Sequence, residues 1–309
     1  MVDLKGKHVL TGKQFTREEI EHVLQVAENF KEELKSRPSL DLTRGQILAT
    51  LFFEPSTRTR LSFESAMLRL GGSVIGFAEA STSSTAKGES LEDTVLTVCQ
   101  YADVIAMRHP QIGSAERAAR VATVPILNGG DGAGQHPTQA LLDMLTIKAE
   151  KGTIDGLTVA LVGDLKNGRT VHALVELLKH YKVDLIFVAP EELKMPLEIT
   201  ESLKSKGVPV KETDSLPAAL KESDVVYMTR VQKERFQDPQ EYEKLKDAFI
   251  LTRALADQAK PGLTIMHPLP RVTEITTDVD SYPGAAYFRQ VKNGLYVRMA
   301  LIALVLGKV

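Results

Sequence analysis

The sequence predicts an α/β protein of two doubly wound parallel-sheet domains of similar size, joined by long helices. Three observations predict it. The chain has 309 residues, long for one domain and comfortable for two, since domains usually run to about 100–200 residues. Short apolar runs of strand length alternate with segments of helical period, the pattern of parallel sheets covered on both faces. Gly152 and Asp155-Gly156 interrupt that alternation near its middle. The expected domains are 1–150 and 151–285, with a last apolar helix from about 286 to 309 packing back on the first.

Each element has its own signal. Thr16 with Glu19 three residues on makes a capping box, and Ile20, Val23, Leu24 and Ala27 follow at helical spacing. Ile47 to Phe53 has the length and content of a buried strand, which Pro55 stops. Ser56 then opens a helix whose Phe63, Ala66, Met67 and Leu70 share one face. Val74 to Phe77 reads as a strand, and the Ser/Thr-rich stretch from Ala80 to Gly88 as a mobile loop. A helix over Leu91 to Tyr101 and strands at Val104 to Met107 and Val124 to Leu127 follow. Asn128 to Gly134 reads as a glycine-rich loop and His136 to Glu150 as a long helix.

The second series has strands at Thr158 to Val162, Leu185 to Val188, Val208 to Val210, Val225 to Met228 and Leu263 to Met266, with a helix over Arg169 to His180. The closing helix spans about Ala286 to Leu306.

Composition narrows the function classes. A net charge of −2 carries no electrostatic footprint for nucleic acid or a membrane surface. The single cysteine, Cys99, excludes an internal disulfide and a cysteine-rich zinc site, and it suits a reducing cytoplasm. It reads as a small buried hydrophobe on a helix rather than a nucleophile. Lys5, Lys7 and His8 interrupt the N-terminus too early for a signal peptide. Met299 to Leu306 is far shorter than the roughly 20 residues of a membrane span.

Four clusters carry chemistry. Ser56-Thr57-Arg58-Thr59-Arg60 lies where a strand turns into a helix, and the free N–H groups of a helix start favour an anion. Its two arginines and three hydroxyls make a phosphate cradle; the bland alternative is an N-cap with solvated arginines. Gly163-Asp164-Leu165-Lys166-Asn167-Gly168-Arg169-Thr170 nearly matches a P-loop, with Arg169 where the lysine belongs. It suits either an arginine fork for a carboxylate or a plain helix start. His267-Pro268-Leu269-Pro270-Arg271 is stiffened by its prolines, which leaves the Leu269 carbonyl free to accept from a ligand; a rigid turn without a ligand is the alternative. Arg108-His109-Pro110 and His136-Pro137-Thr138-Gln139 fall at or beyond strand ends, where ligands gather in open α/β sheets. His136 has no neighbour at metal-ligand spacing, so a hydrogen-bond role is expected rather than a metal. His109, His172 and His180 read as structural or exposed.

These residues resemble the aspartate/ornithine carbamoyltransferase family. The resemblance to the family as a whole rests on Ser56 to Arg60. The resemblance to its aspartate branch rests on His267 to Arg271, on Val162-Gly163-Asp164-Leu165 with Arg169, and on Thr229-Arg230-Val231-Gln232-Lys233-Glu234-Arg235. It covers nearly the whole chain, with four motifs in family order. One departure is Asn167, where relatives often carry an aromatic residue; it touches loop packing or domain coupling and removes no reacting group.

The resemblance implies an enzyme of de novo pyrimidine biosynthesis that joins carbamoyl phosphate to L-aspartate without metal or organic cofactor. It implies a carbamoyl phosphate-binding first domain and an aspartate-binding second. Ser56, Thr57, Arg58, Thr59 and Arg108 would hold the phosphate. Thr59, Arg108 and His136 would surround the carbamoyl oxygen. Gln139 and the carbonyls of Pro268 and Leu269 would fix the amide, with a cis bond between Leu269 and Pro270. Arg169 would take the α-carboxylate, and Arg230 and Gln232 the side-chain carboxylate. Ser83 and Lys87 would come from a neighbouring subunit of a homotrimer with shared active sites, to which regulatory chains can bind. An ornithine-specific relative is disfavoured because Arg230 would repel a cationic side chain. A non-catalytic sensor of a phosphorylated metabolite would tolerate loss of Arg108 or His136, and both are present.

Overall fold

The computed structural model describes residues 2–82, 84–232, 238–245 and 247–309. The chain divides into two compact units, Met1–Leu145 with Val291–Val309, and Thr146–Gln290.

The first unit is built on strands β1 (Ile47–Phe52), β2 (Ser73–Phe77), β3 (Val104–His109) and β4 (Ile126–Asp131). All pair in parallel, in the order β2-β1-β3-β4. Helices α1 (Arg17–Ser36), α2 (Thr57–Arg69), α3 (Leu91–Val98), α4 (Ser114–Val121) and α5 (Pro137–Lys151) alternate with them. Strand side chains alternate between faces. Ala49, Leu51, Ile105, Met107 and Ile126 pack with Leu91, Val95, Ala115 and Ala118 of α3 and α4 on one side. Leu48 and Phe52, one step out of phase, are fully buried on the other.

The second unit carries β5 (Thr158–Val162), β6 (Asp184–Val188), β7 (Val210–Thr213), β8 (Val225–Met228) and β9 (Thr264–Met266), all parallel in the order β7-β6-β5-β8-β9. Its helices are α6 (Arg169–Leu178), α7 (Leu197–Ser205), α8 (Leu216–Glu222), α9 (Pro239–Leu245) and α10 (Arg253–Asp257). Ala160, Val162, Val226, Met228 and Ile265 share a core with Leu216, Ala219 and Leu220 of α8 and Ala256 of α10. Helix α11 (Tyr287–Val305) closes the chain. From Val291 onward it belongs to the first unit, as its apolar sequence predicts.

Arg298 shows how α11 is held in that unit. It is 4% exposed. Its guanidinium donates to Ser62 Oγ at 2.9 Å and Thr138 Oγ1 at 3.2 Å and lies 5.1 Å from the Phe63 ring centre. One side chain thus joins α11 to α2 and to the first turn of α5. Burial pushes its pKa down to about 10, against the opposing charge of Asp143.

The parallel sheets and most strands match expectation. Four segments differ. Asn128, Gly129 and Gly130 belong to β4 rather than to a loop. The described part of 80–88 forms two 3-10 turns, Ala80–Thr82 and Ser84–Lys87. Helix α3 ends at Val98, so Cys99 is a half-buried cap. Strand β7 begins at Val210 and leaves Val208 outside. Among the described residues no helix is long and apolar enough to cross a membrane.

The capping box of α1 is complete: Thr16 Oγ1 accepts from Glu19 N at 3.2 Å, and Glu19 Oε2 accepts from Thr16 N at 2.9 Å. Thr16→Ala is expected to lower unfolding stability by about 1 kcal/mol. A fall in the urea midpoint at unchanged slope would record it; no shift would mean that water replaces the cap without loss.

Candidate active site

In the first unit the candidate groups stand at the carboxyl ends of three adjacent strands, β1, β3 and β4. Past β1, Ser56 is the N-cap of α2 in extended conformation, and its side chain makes no hydrogen bond to the helix. The hydroxyl is therefore not used up as a cap, contrary to the bland reading of this turn. Thr59 is buried one turn along. A Cβ on Gly129 of β4 would sit 3.3 Å from Thr59 Cγ2 and 3.1 Å from the Met107 carbonyl. A side chain there would be tight against the start of α2, which would have to give by a few tenths of an ångström.

Arg108 closes β3. Its side chain is 12% exposed, and Nε donates to Glu54 Oε2 at 3.1 Å; its carbonyl accepts from Phe53 N at 2.8 Å. Burial holds its pKa below the usual guanidinium range, with Glu54 opposing. Arg58 is lowered in the same direction, by burial first and by the charge of Arg108 second. An exposed arginine within reach of the charge of a second, largely buried one favours an anion beside both. Arg60, the other arginine of the turn, is engaged elsewhere: Nη1 donates to Glu64 Oε1 at 2.9 Å.

Asp131, the last residue of β4, holds the loop that leads into α5. Its carboxylate accepts from Gly113 N at 2.8 Å and Gln135 N at 2.6 Å. His136 follows, buried, its carbonyl accepting from Gln139 N and Ala140 N at the start of α5. Gln139 Nε2 donates to Asp143 Oδ1 at 2.9 Å. Lys87 is exposed at the end of its 3-10 turn. Ser83 lies outside the described residues, as do Lys233, Glu234 and Arg235. Among the described residues, no cluster of three or more His, Cys, Asp or Glu has the makings of a metal site.

In the second unit the carboxyl ends of β5, β8 and β9 carry the corresponding groups. Gly163 has φ +114, and a Cβ there would lie 2.3 Å from the Thr229 carbonyl. Thr229 Oγ1 donates to the Val162 carbonyl at 2.9 Å, so the exits of β5 and β8 run side by side. Asp164 is fully buried and accepts from Asn167 N at 2.9 Å and Asn167 Nδ2 at 3.1 Å. Asn167, the departure from the family pattern, thereby tightens this loop. Its carbonyl accepts from Gln232 Nε2 at 3.3 Å, which brings Gln232 beside the loop that ends in Arg169, the first residue of α6.

After β9, the Leu269–Pro270 bond is cis, and Leu269 has φ 56. The charge of Arg230 reaches His267 and helps to lower its pKa, after burial as the main cause; the β8 and β9 exits are therefore neighbours too. Arg271 has a structural role, pairing with Asp280, Nη2 to Oδ2 at 2.7 Å, and contacting Tyr287 Oη at 3.1 Å. Two of the other histidines have structural partners, His172 Nε2 lying 2.7 Å from the Leu165 carbonyl and His109 Nδ1 accepting from Gln111 N at 3.0 Å. Glu54, Asp143, Arg298 and Glu274 are the site's neighbours that sequence reasoning passed over.

Fold and strand-end residues define a two-unit α/β protein with arginines set to receive anions on both sheets. Comparison with known proteins narrows this class. Residues 7–149 match the carbamoyl-P binding domain of aspartate/ornithine carbamoyltransferase, and residues 155–305 match the Asp/Orn binding domain. The chain belongs to the aspartate/ornithine carbamoyltransferase family. It is 56% identical over 306 residues to an aspartate carbamoyltransferase catalytic subunit of Thermococcus kodakarensis, covering 99% of each chain. It is 52% identical over 307 residues to that of Clostridium perfringens, again covering 99% of each. Among solved structures it is similar to aspartate transcarbamoylase from Trypanosoma cruzi in complex with carbamoyl phosphate and aspartate. There the TM-score is 0.93 and the identity 45%, over 98% of each chain.

Proposed function

We infer that the chain transfers the carbamoyl group of carbamoyl phosphate to the amino group of L-aspartate, giving N-carbamoyl-L-aspartate and phosphate, a step of de novo pyrimidine biosynthesis in the cytoplasm. The observation that carries this reading is the exposed Arg58 set within reach of the charge of the largely buried Arg108, beside an N-cap hydroxyl that its own helix does not use. Catalytic-subunit relatives above 50% identity over the full chain support aspartate as the acceptor.

The roles follow from charge and reach. Residues 1–150, with the last helix, bind carbamoyl phosphate; residues 151–285 bind aspartate. Ser56, Thr57, Arg58, Thr59 and Arg108 hold the phosphate. Thr59, Arg108 and His136 donate to the carbamoyl oxygen, where negative charge grows as the α-amine attacks. Gln139 and the Pro268 and Leu269 carbonyls fix the amide. The new C–N bond forms as the C–O bond to phosphate breaks, and the departing phosphate takes the amine proton. Arg169 binds the α-carboxylate of aspartate, and Arg230 with Gln232 its side-chain carboxylate. Ser83 and Lys87 act from the adjoining chain of a homotrimer. Ornithine is the lesser reading, since Arg230 repels a cationic side chain.

Arg230→Ala tests the acceptor. Loss of a charge-assisted pair worth about 1.5–3 kcal/mol should raise KM for aspartate roughly 10- to 150-fold. Equilibrium binding of carbamoyl phosphate should stay within about twofold. Equal weakening of both substrates would give Arg230 a different role. Activity with ornithine and none with aspartate in the unaltered chain would overturn the reading itself.

A further inference from the structure

His267 and Glu274 form a buried pair beside the loop that is to present the Pro268 and Leu269 carbonyls. Their side chains are 1% and 5% exposed. His267 Nε2 lies 2.7 Å from Glu274 Oε1, and His267 Nδ1 accepts from Leu269 N at 2.8 Å. Glu274 Oε2 accepts from Val272 N and Thr273 N, both at 3.1 Å. Gln290 Oε1 takes the His267 backbone N–H at 2.9 Å.

This geometry selects one form of the ring. A nitrogen that accepts from a backbone N–H carries no proton, so the proton sits on Nε2 and points at the carboxylate. Burial lowers the His267 pKa, outweighing Glu274, while the nearby Arg271 and Arg230 lower it further; the imidazole is thus neutral. Glu274 fixes this tautomer, as carboxylates do for histidines whose other nitrogen is engaged. What that other nitrogen does is visible in the backbone. Leu269 is the only non-glycine described with positive φ, a conformation that is costly for a side chain with a Cβ. The hydrogen bond to Nδ1 is what pins its amide.

We propose that His267 is a positioning residue for carbamoyl transfer: held by Glu274 in its Nε2–H form, it clamps the Leu269 amide and so aims the Pro268 and Leu269 carbonyls at the carbamoyl –NH2. The proposal rests on the function inferred above and goes beyond it, since it names what sets the two carbonyls.

Three variants with matched shapes test it. In Glu274→Gln the new carbonyl can still accept from Val272 N and Thr273 N, which turns the –NH2 toward His267. The ring must then protonate Nδ1, and the clamp is lost. His267→Gln keeps a polar group near Nε2 and loses the Nδ1 acceptor. His267→Asn keeps an acceptor near Nδ1 and loses the reach to Glu274. Binding of carbamoyl phosphate and of inorganic phosphate is measured by calorimetry on variants whose circular dichroism matches the parent. Only the first ligand carries the –NH2. Glu274→Gln and His267→Gln should weaken carbamoyl phosphate about tenfold and inorganic phosphate less than twofold, while His267→Asn restores carbamoyl phosphate binding to within about threefold. Equal weakening of both ligands, or of neither, would overturn the proposal, as would an Asn variant no better than the Gln variant. If the parent chain itself fails to bind carbamoyl phosphate, the function is misread and the clamp falls with it.

Discussion

Arg108→Ala should lower kcat for carbamoyl transfer by about two to three orders of magnitude in a protein that still folds. The side chain lies at the end of β3 with 12% of its surface exposed, and its backbone carbonyl is already used by Phe53 N, so truncation spares the strand pairing. What is lost is the donor inferred to reach the oxygen on which charge develops, and removing one such donor costs about 2.7–4 kcal/mol. A second effect adds to it. Glu54, now facing Arg108 at 3.1 Å, would be left without that counter-charge near an incoming anion. Phosphate release at saturating substrate, with thermal melts as the folding control, measures the loss. A drop of less than tenfold would remove Arg108 from the reacting atoms.

Two inactive variants, Arg58→Ala and Lys87→Ala, should regain activity when mixed under conditions that exchange subunits. Arg58 lies in the Ser56 turn; Lys87 is exposed at the end of the Ser84–Lys87 turn. In a cyclic trimer one heterologous interface repeats three times. Each hybrid then has one site in which an intact Arg58 meets an intact Lys87 from the adjoining chain. Both pure variants should stay nearly inactive, while the mixture recovers a substantial fraction of the parent rate. Continued inactivity, with subunit exchange proven by mass labelling, would mean that Lys87 serves its own chain.

The parallel architecture was legible because buried strands are short apolar runs. β5 and β8 are bounded in the structure as their sequences suggest, and so is the capping-box start of α1. Glycine caused the clearest misreading. Asn128-Gly129-Gly130 has the composition of a loop, yet it continues β4, where Gly129 lies close to Thr59 and the Met107 carbonyl. Packing demand and loop freedom select the same residue, and a single sequence does not separate them.

At the site, the arginines stood out as charges beside turns. Their supporting groups did not. Glu54 is a carboxylate in a polar stretch, Asp143 lies within a helix, and Glu274 becomes meaningful only once His267 is seen 2.7 Å away. Such residues act through another side chain, and the sequence distance between the partners carries no signal. Arg298, on α11, reaches back 160 residues to Thr138.

The first turn of α2 has a consequence for how substrate and fold depend on each other. A helix start leaves four amide groups without internal partners, and here the Ser56 side chain answers none of them. The phosphate group inferred to bind there supplies the missing acceptors, so the ligand completes a piece of secondary structure. Recognition and local folding then share one set of hydrogen bonds. Any change that gives α2 a better cap of its own competes with the substrate for the same amides, and the most stable version of this helix is not the most active one.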